Sequence, residues 1–307
     1  MKSGIQFPGG VWPVMLTPYT KNNKIDYQSL EKLVNWYIEK GVSGLFAVCQ
    51  SSEMFFLSVE ERVSIARYIV DVADSRVPVI ASGHVSDSME EQIDEVNRMA
   101  STGIDAAILI TNRLAEKDHN DDIWLKNLDI LLHHINSEIP LGFYECPYPY
   151  KRVLNLDVIK ELLKIDRFYF LKDTCCNLED ILAKQTLVEG SKLRIYNANT
   201  ATLLPALRAG ITGYSGVMAN FHPELYVWLC THIHHRKAET LQELLSMAAL
   251  IERQVYPVNA KYFLQVSGIL NDIFSRSKDG SLFDETAKSE VQQLMSLSQK
   301  ILEWLHQ

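Results

Sequence analysis

The amino-acid sequence predicts a closed (β/α)8 barrel followed by a C-terminal helical extension. Three observations predict it. Short apolar runs alternate with amphipathic segments over most of the chain, the spacing suits helical crossovers, and after residue ~235 only helical patterns remain.

The apolar runs are 11–16, 44–49, 78–81, 106–110, 141–144, 168–172, 194–197 and 213–217. Each is too short for a helix and mostly apolar throughout, as a strand covered on both faces must be. They are spaced by roughly 20 to 35 residues, enough for a helical crossover, since a parallel neighbour cannot be reached by a tight turn. Between the first two runs, Leu30, Leu33, Val34, Tyr37 and Ile38 share one helical face, and Gly41 stands beyond as a stop. Ser58 with Glu61 forms a capping box ahead of Val63, Ala66 and Val70, and Asp87 with Glu90 repeats it ahead of Ile93, Val96 and Ala100. A doubly wound open sheet is the competing architecture. It would carry a glycine-rich phosphate loop after its first strand, but here the first run passes into Thr17-Pro18.

In the tail, Leu241, Leu244, Leu245 and Ala248 form one stripe and Val291, Leu294, Met295 and Ile301 another. Such stripes need a partner surface, so the tail either docks on the barrel or serves as a separate interaction element. The chain of 307 residues thus divides into a barrel domain at 1–235 and an extension at 236–307.

Composition narrows the function. The chain is 47% hydrophobic and 22% charged, which excludes a mainly disordered protein. Thirty Lys and Arg against 38 Asp and Glu leave a net charge of −8 without a dense cationic face, which argues against nucleic acid. The first ten residues lack a signal-peptide core and no apolar run approaches membrane-spanning length, so no membrane partner and a cytoplasmic location are expected. Cys49, Cys146, Cys175, Cys176 and Cys230 are odd in number and contain no C-x-x-C pair, which predicts reduced thiols.

The active site of such a barrel lies at the C-terminal ends of its strands. Lys172 closes the run Phe168-Tyr169-Phe170-Leu171, where desolvation lowers a lysine pKa and exposes a neutral amine able to form a Schiff base with a carbonyl. The alternative is a lysine paired with Asp173 or another carboxylate. Tyr144 ends the preceding strand and could shuttle the proton that imine formation requires, or could be a packed aromatic. Ser51 and Ser52 offer hydroxyls and backbone N–H groups to a carboxylate. His84 reads better as a hydrogen-bonded scaffold than as a reactant. His232, His234 and His235 do not share a helix face, and the strand-end cysteines suit packing better than a metal site. Glu53 and Asp173 fit structural roles at strand–helix junctions.

In order along the chain stand Thr17-Pro18, Ser51-Ser52-Glu53, Tyr144-Glu145-Cys146-Pro147 and Lys172-Asp173. This set resembles the dihydrodipicolinate synthase and N-acetylneuraminate lyase superfamily over about the whole chain, tail included. The resemblance implies a Schiff-base enzyme acting on pyruvate or another 2-oxo acid, with Lys172 as the imine lysine and Tyr144 as the proton shuttle. It further implies that Ser51 and Ser52 hold the carboxylate of the 2-oxo acid, that Thr17 belongs to the same pocket, that Ala198 and Ser215 line it by position, and that neither metal nor organic cofactor is needed. A homo-oligomer, dimer or tetramer, is expected.

Three departures bear on the substrate. Cys49-Gln50-Ser51-Ser52-Glu53 replaces a Gly-Thr-Thr-Gly-Glu pattern, Thr111-Asn112-Arg113-Leu114 replaces a tyrosine pair that relays protons between subunits, and Pro149 stands where the synthases place an arginine. Arg113 and Glu145 are new polar groups at the same rim and are expected to bind the distal part of a different substrate, such as a polyhydroxylated 2-oxo acid. The function expected is a lyase or aldolase working through a Lys172 enamine. A dehydratase of a 2-oxo-3-deoxy sugar acid, a true dihydrodipicolinate synthase and a non-catalytic 2-oxo acid sensor are the alternatives.

Overall fold

The computed structural model describes residues 7–307. Eight parallel strands run β1 (Gly10–Val11), β2 (Leu45–Phe46), β3 (Val79–Ala81), β4 (Ala106–Ile110), β5 (Leu141–Tyr144), β6 (Phe168–Asp173), β7 (Arg194–Asn197) and β8 (Gly213–Tyr214). They pair in the order β1-β8-β7-β6-β5-β4-β3-β2. The remaining seam is closed by a parallel bridge from Val14 to Phe46, flanked by Met15 N–H to the Phe46 carbonyl at 3.0 Å and Phe46 N–H to the Pro13 carbonyl at 3.1 Å. The expected barrel is therefore the observed one.

The first, second and last strands are shorter than their apolar runs. Pro13 has no N–H to donate to the ladder, and beyond it Val14 bridges to β2 rather than to β8. After Phe46 the chain enters the turn that carries Ser51, and after Tyr214 it enters a 3₁₀ turn at Val217–Asn220.

Seven helices connect or follow the strands as α1 (Tyr27–Glu39), α2 (Val59–Ala73), α3 (Met89–Ala100), α4 (Asp121–His134), α5 (Leu156–Leu163), α6 (Leu178–Val188) and α7 (Leu203–Arg208), and α8 (Pro223–Thr231) completes the ring. The face of α1 that was expected to be apolar buries Leu30, Leu33, Val34 and Tyr37, and Gly41 beyond its end sits at φ 81°. The Ser58–Glu61 capping box forms in both directions, at 3.2 and 3.0 Å. The second box does not form: Ser88, one residue later than expected, caps α3 by accepting from Glu91 N–H at 3.2 Å, and its hydroxyl donates to the Glu91 carboxylate at 2.8 Å. Asp87 is free to pair with Arg113.

Aromatic rings fill the barrel interior. Phe170 stacks on Tyr196 with centroids 4.2 Å apart, and Trp12 meets Phe170 edge-on at 5.3 Å. Gly44 is required beside them, since a Cβ there would lie 2.3 Å from the Trp12 ring. With the interior plugged, ligand access is confined to the C-terminal mouth.

The extension holds α9 (Ala238–Ala248), α10 (Val258–Val266) and α11 (Glu285–His306). It docks on the barrel rather than standing apart. The Lys261 ammonium of α10 lies 2.6 Å from Glu53, whose other oxygen accepts from the Ser275 hydroxyl at 2.8 Å and from the N–H groups of Arg276 and Ser277, both at 2.7 Å. Among the described residues no helix is long and apolar enough to cross a membrane.

Candidate active site

Side chains alternate across a strand, and that alternation sorts the strand-end residues into two groups. Lys172 of β6 lies in register between Tyr144 of β5 and Tyr196 of β7. Its Nζ sits 4.3 Å from the Tyr144 ring centroid and 5.9 Å from that of Phe46. The residue is 4% exposed, and its ammonium has no hydrogen bond or ion pair among the described residues. Burial pulls its pKa down to about 8, against weaker attraction from Cys49, Cys146 and Glu252.

The next residue, Asp173, points the other way. It accepts from the Lys184 ammonium of α6 at 2.5 Å and from Cys175 N–H at 3.0 Å. Glu145, one residue beyond Tyr144, joins the same cluster: Lys184 donates to it at 2.7 Å, as do Thr174 N–H at 2.7 Å and Leu154 N–H at 3.0 Å. Burial and the neighbouring Asp173 push the Glu145 carboxyl up to about 7, because one ammonium serves two carboxylates. Lys184 rises to about 12, the two acids outweighing a burial that by itself lowers it. The pairing of Lys172 with Asp173 that the sequence left open does not occur. Nor does Glu145 reach the rim: it is wholly buried behind the strands.

Arg113 is the second correction. Its guanidinium pairs with Asp87 and packs over the Phe55 ring at 5.5 Å from the centroid, and it lines a separate pocket beside α3 and α4. Asn112 donates from one amide nitrogen to the carbonyls of Cys146, Tyr148 and Tyr150 at 2.8, 2.9 and 2.6 Å, so this turn braces the loop after β5.

Lys172 and Tyr144 open into a cavity of about 330 Å³. Gln50 and Ser51 supply its polar wall on the β2 side. The Tyr144 hydroxyl approaches Gln50 Oε1 at 3.5 Å, and burial holds the phenol well above its ordinary range, so Tyr144 carries its proton. Ser52 and Thr17 lie beneath the wall and shape it. The Ser52 hydroxyl accepts from Cys49 N–H at 2.8 Å and donates to the Ala47 carbonyl at 3.2 Å, while Thr17 donates to the Ser52 carbonyl at 2.8 Å. Ala198 and Ser215 do not line the cavity either. Ala198 N–H bonds the Asp173 carbonyl at 3.0 Å and Ser215 N–H the Asn197 carbonyl at 2.9 Å. The Ser215 hydroxyl is buried without a partner among the described residues.

His84 is held as a neutral scaffold. Its Nε2 accepts from Ile110 N–H at 2.6 Å, which leaves the proton on Nδ1 for Gln92 at 3.2 Å, and burial lowers its pKa to about 4. Among the described residues no group of three His, Cys, Asp or Glu could hold a metal ion.

Sequence reasoning missed the extension's share of the site. Tyr256, Pro257, Ser277 and Lys278 line the cavity, and so do Phe55 and Phe56 of the 3₁₀ turn Met54–Phe56. Tyr256 accepts from Asn220 at 3.0 Å, and its hydrogen bond with Ser51 offsets part of the rise that burial imposes on its phenol. Half-buried Glu252 stands near enough to feel Lys172; burial lifts it to about 7 and the ammonium pulls the other way. The apolar periodicity of the tail gave no sign of these roles. The one available signal was Glu53, an acid beside two serines that had to find a cation somewhere.

Comparison with known proteins agrees with the barrel fold. Residues 7–297 match the model of the dihydrodipicolinate synthetase family. The 4-hydroxy-tetrahydrodipicolinate synthase of Pseudoalteromonas atlantica is 26% identical over 87% of this chain and 90% of its own, and that of Methanocaldococcus jannaschii 29% identical over 81% and 86%. The crystal structure of a dihydrodipicolinate synthase from Bacillus anthracis superposes with a TM-score of 0.84 at 23% identity, covering 95% of this chain and 99% of that one, which speaks for the fold. With the family model matched from the first described residue into the last helix, the chain belongs to the dihydrodipicolinate synthetase family, a family of lyases and synthases.

Proposed function

We propose that the protein is a class I lyase or aldolase that binds pyruvate or a related 2-oxo acid as a Schiff base on Lys172. The observation that carries this reading is a buried lysine without a counterion, 4.3 Å from a tyrosine ring, at the floor of a cavity. With its pKa near 8, a useful fraction of the amine is neutral at pH 7 to 8 and can attack the C2 carbonyl.

Tyr144, protonated and beside that amine, donates to the departing hydroxyl as the carbinolamine loses water. The resulting iminium acidifies the C3 protons, and loss of one gives the enamine that makes or breaks the carbon–carbon bond. Ser51 presents its hydroxyl to the 2-oxo acid carboxylate. Hydrolysis then frees the product and returns Lys172. A synthase of the lysine pathway is the less favoured reading: Pro149 offers no donor where the synthases have an arginine, and the Thr111–Arg113 turn is committed to bracing. Exposed Met247, Leu250 and Leu297 on the extension favour a homo-oligomer, which light scattering measures.

The test is exchange of pyruvate methyl protons with D2O, followed by NMR. The enzyme is expected to catalyse it and Lys172→Arg to abolish it; equal rates for the two proteins would overturn the proposal.

A further inference from the structure

The polar groups expected to read the distal part of the substrate are not in the cavity: Glu145 is spent on Lys184 and Arg113 on Asp87. What stands at the mouth instead is aromatic. Phe55 and Tyr148 meet edge-to-face with centroids 4.9 Å apart, while Phe56 and Tyr148 are 48% and 50% exposed. Pro147, Val217 and Pro257 extend the same lining. Rings this exposed at the entrance of a cavity are surface a ligand would cover. The same cavity also carries Ser277 and Lys278, but a polyhydroxylated chain laid against Phe55, Phe56 and Tyr148 would give up water for ring faces that return no hydrogen bond.

We infer that the second reactant is an aryl aldehyde, its ring seated among Phe55, Phe56 and Tyr148. This inference rests on the 2-oxo acid reading above and specifies it. The C3 carbon of the Lys172-bound enamine attacks the aldehyde carbon, forming the new carbon–carbon bond. The carbonyl π pair moves to oxygen, which takes the Tyr144 proton. Water then adds to the iminium, the C–N bond breaks, and a 4-aryl-4-hydroxy-2-oxobutanoate leaves. The proton freed in that hydrolysis restores Tyr144, so no oxidant or reductant enters. The reverse reaction cleaves the same product into pyruvate and the aldehyde.

The test supplies the full-length enzyme with pyruvate and, in parallel, benzaldehyde, glyceraldehyde or succinic semialdehyde, and quantifies each adduct by mass spectrometry. The expected result is a kcat/KM for benzaldehyde at least ~10-fold above the other two. Phe56→Ser and Tyr148→Ser, both at half-exposed positions whose removal opens no core, are expected to lower the benzaldehyde-to-glyceraldehyde ratio by about tenfold. Methyl-proton exchange in D2O, measured on the same samples, separates the two ways of failing. Exchange with a preference for glyceraldehyde or succinic semialdehyde, or with an unchanged ratio in the variants, overturns the aryl assignment alone. No exchange overturns the Schiff-base reading and this inference with it.

Discussion

Lys172 and Lys184 are both buried, at 4% and 2% exposure, yet their surroundings are opposite in kind. Lys184 touches two carboxylates and its pKa climbs to about 12; Lys172 touches rings and no acid, and its pKa falls to about 8. Lys261 is paired too, held by Glu53 beneath the extension, although there burial outweighs the acid and lowers the pKa. A buried ammonium that is paired ties elements together, since removing its partner strands a charge. A buried ammonium that is not paired is destabilising by itself, and its retention at a strand end facing a cavity is the mark of chemistry. Lys184 instead holds Asp173 and Glu145, the acids next in sequence to Lys172 and Tyr144, on the far side of the strands.

The contrast can be broken from either side. The largest effect is expected for Lys184→Met, which leaves Glu145 and Asp173 buried without a cation and should cost about 3–5 kcal/mol in urea unfolding. Adding Glu145→Gln should recover part of that loss, and no recovery would mean the cluster is not held by charge. Next, Tyr144→Phe should slow methyl-proton exchange by about 10²-fold, the lower range for a lost proton donor, with little change in stability. A smaller effect of opposite sign is expected for Lys172→Met. Because the folded-state pKa lies below the ordinary 10.5, the unfolded chain binds more protons between pH ~8 and 10.5. The penalty is therefore full below pH 8 and fades as the pH rises toward 10.5. The variant should be stabilised by about 1–3 kcal/mol at pH 7, and by less at pH 10. Smallest, Ser51→Ala should raise KM for the 2-oxo acid about tenfold with kcat nearly unchanged, as for one lost hydrogen bond to a charged group.

The barrel was legible because a strand buried on both faces must be apolar throughout and a parallel neighbour demands a long crossover; both leave a trace in one dimension. Lys172 and Tyr144 were legible for the same reason, as polar groups closing apolar runs. Glu145 was misread although the rule that places it was at hand: it follows the inward Tyr144, so it faces outward, as Asp173 does after Lys172. The distance from Lys261 to Glu53 along the chain is 208 residues, and no local pattern announces such a contact. The same holds for Tyr256 and Lys278, which reach the cavity only because the extension folds back over the mouth. Arg113 follows its strand as expected but lines a separate pocket, and its pairing with Asp87 depended on a cap one residue from the expected one.

The central claim is that one lysine, its ammonium in no ion pair among the described residues, is the reactive group. Its most direct measurement is borohydride reduction of the enzyme with pyruvate between pH 6 and 10, followed by peptide mapping. The account predicts a single reduced pyruvyl adduct, on Lys172, whose rate of formation rises to a half-maximum near pH 8. An adduct spread over surface lysines, or none at saturating pyruvate, would contradict it.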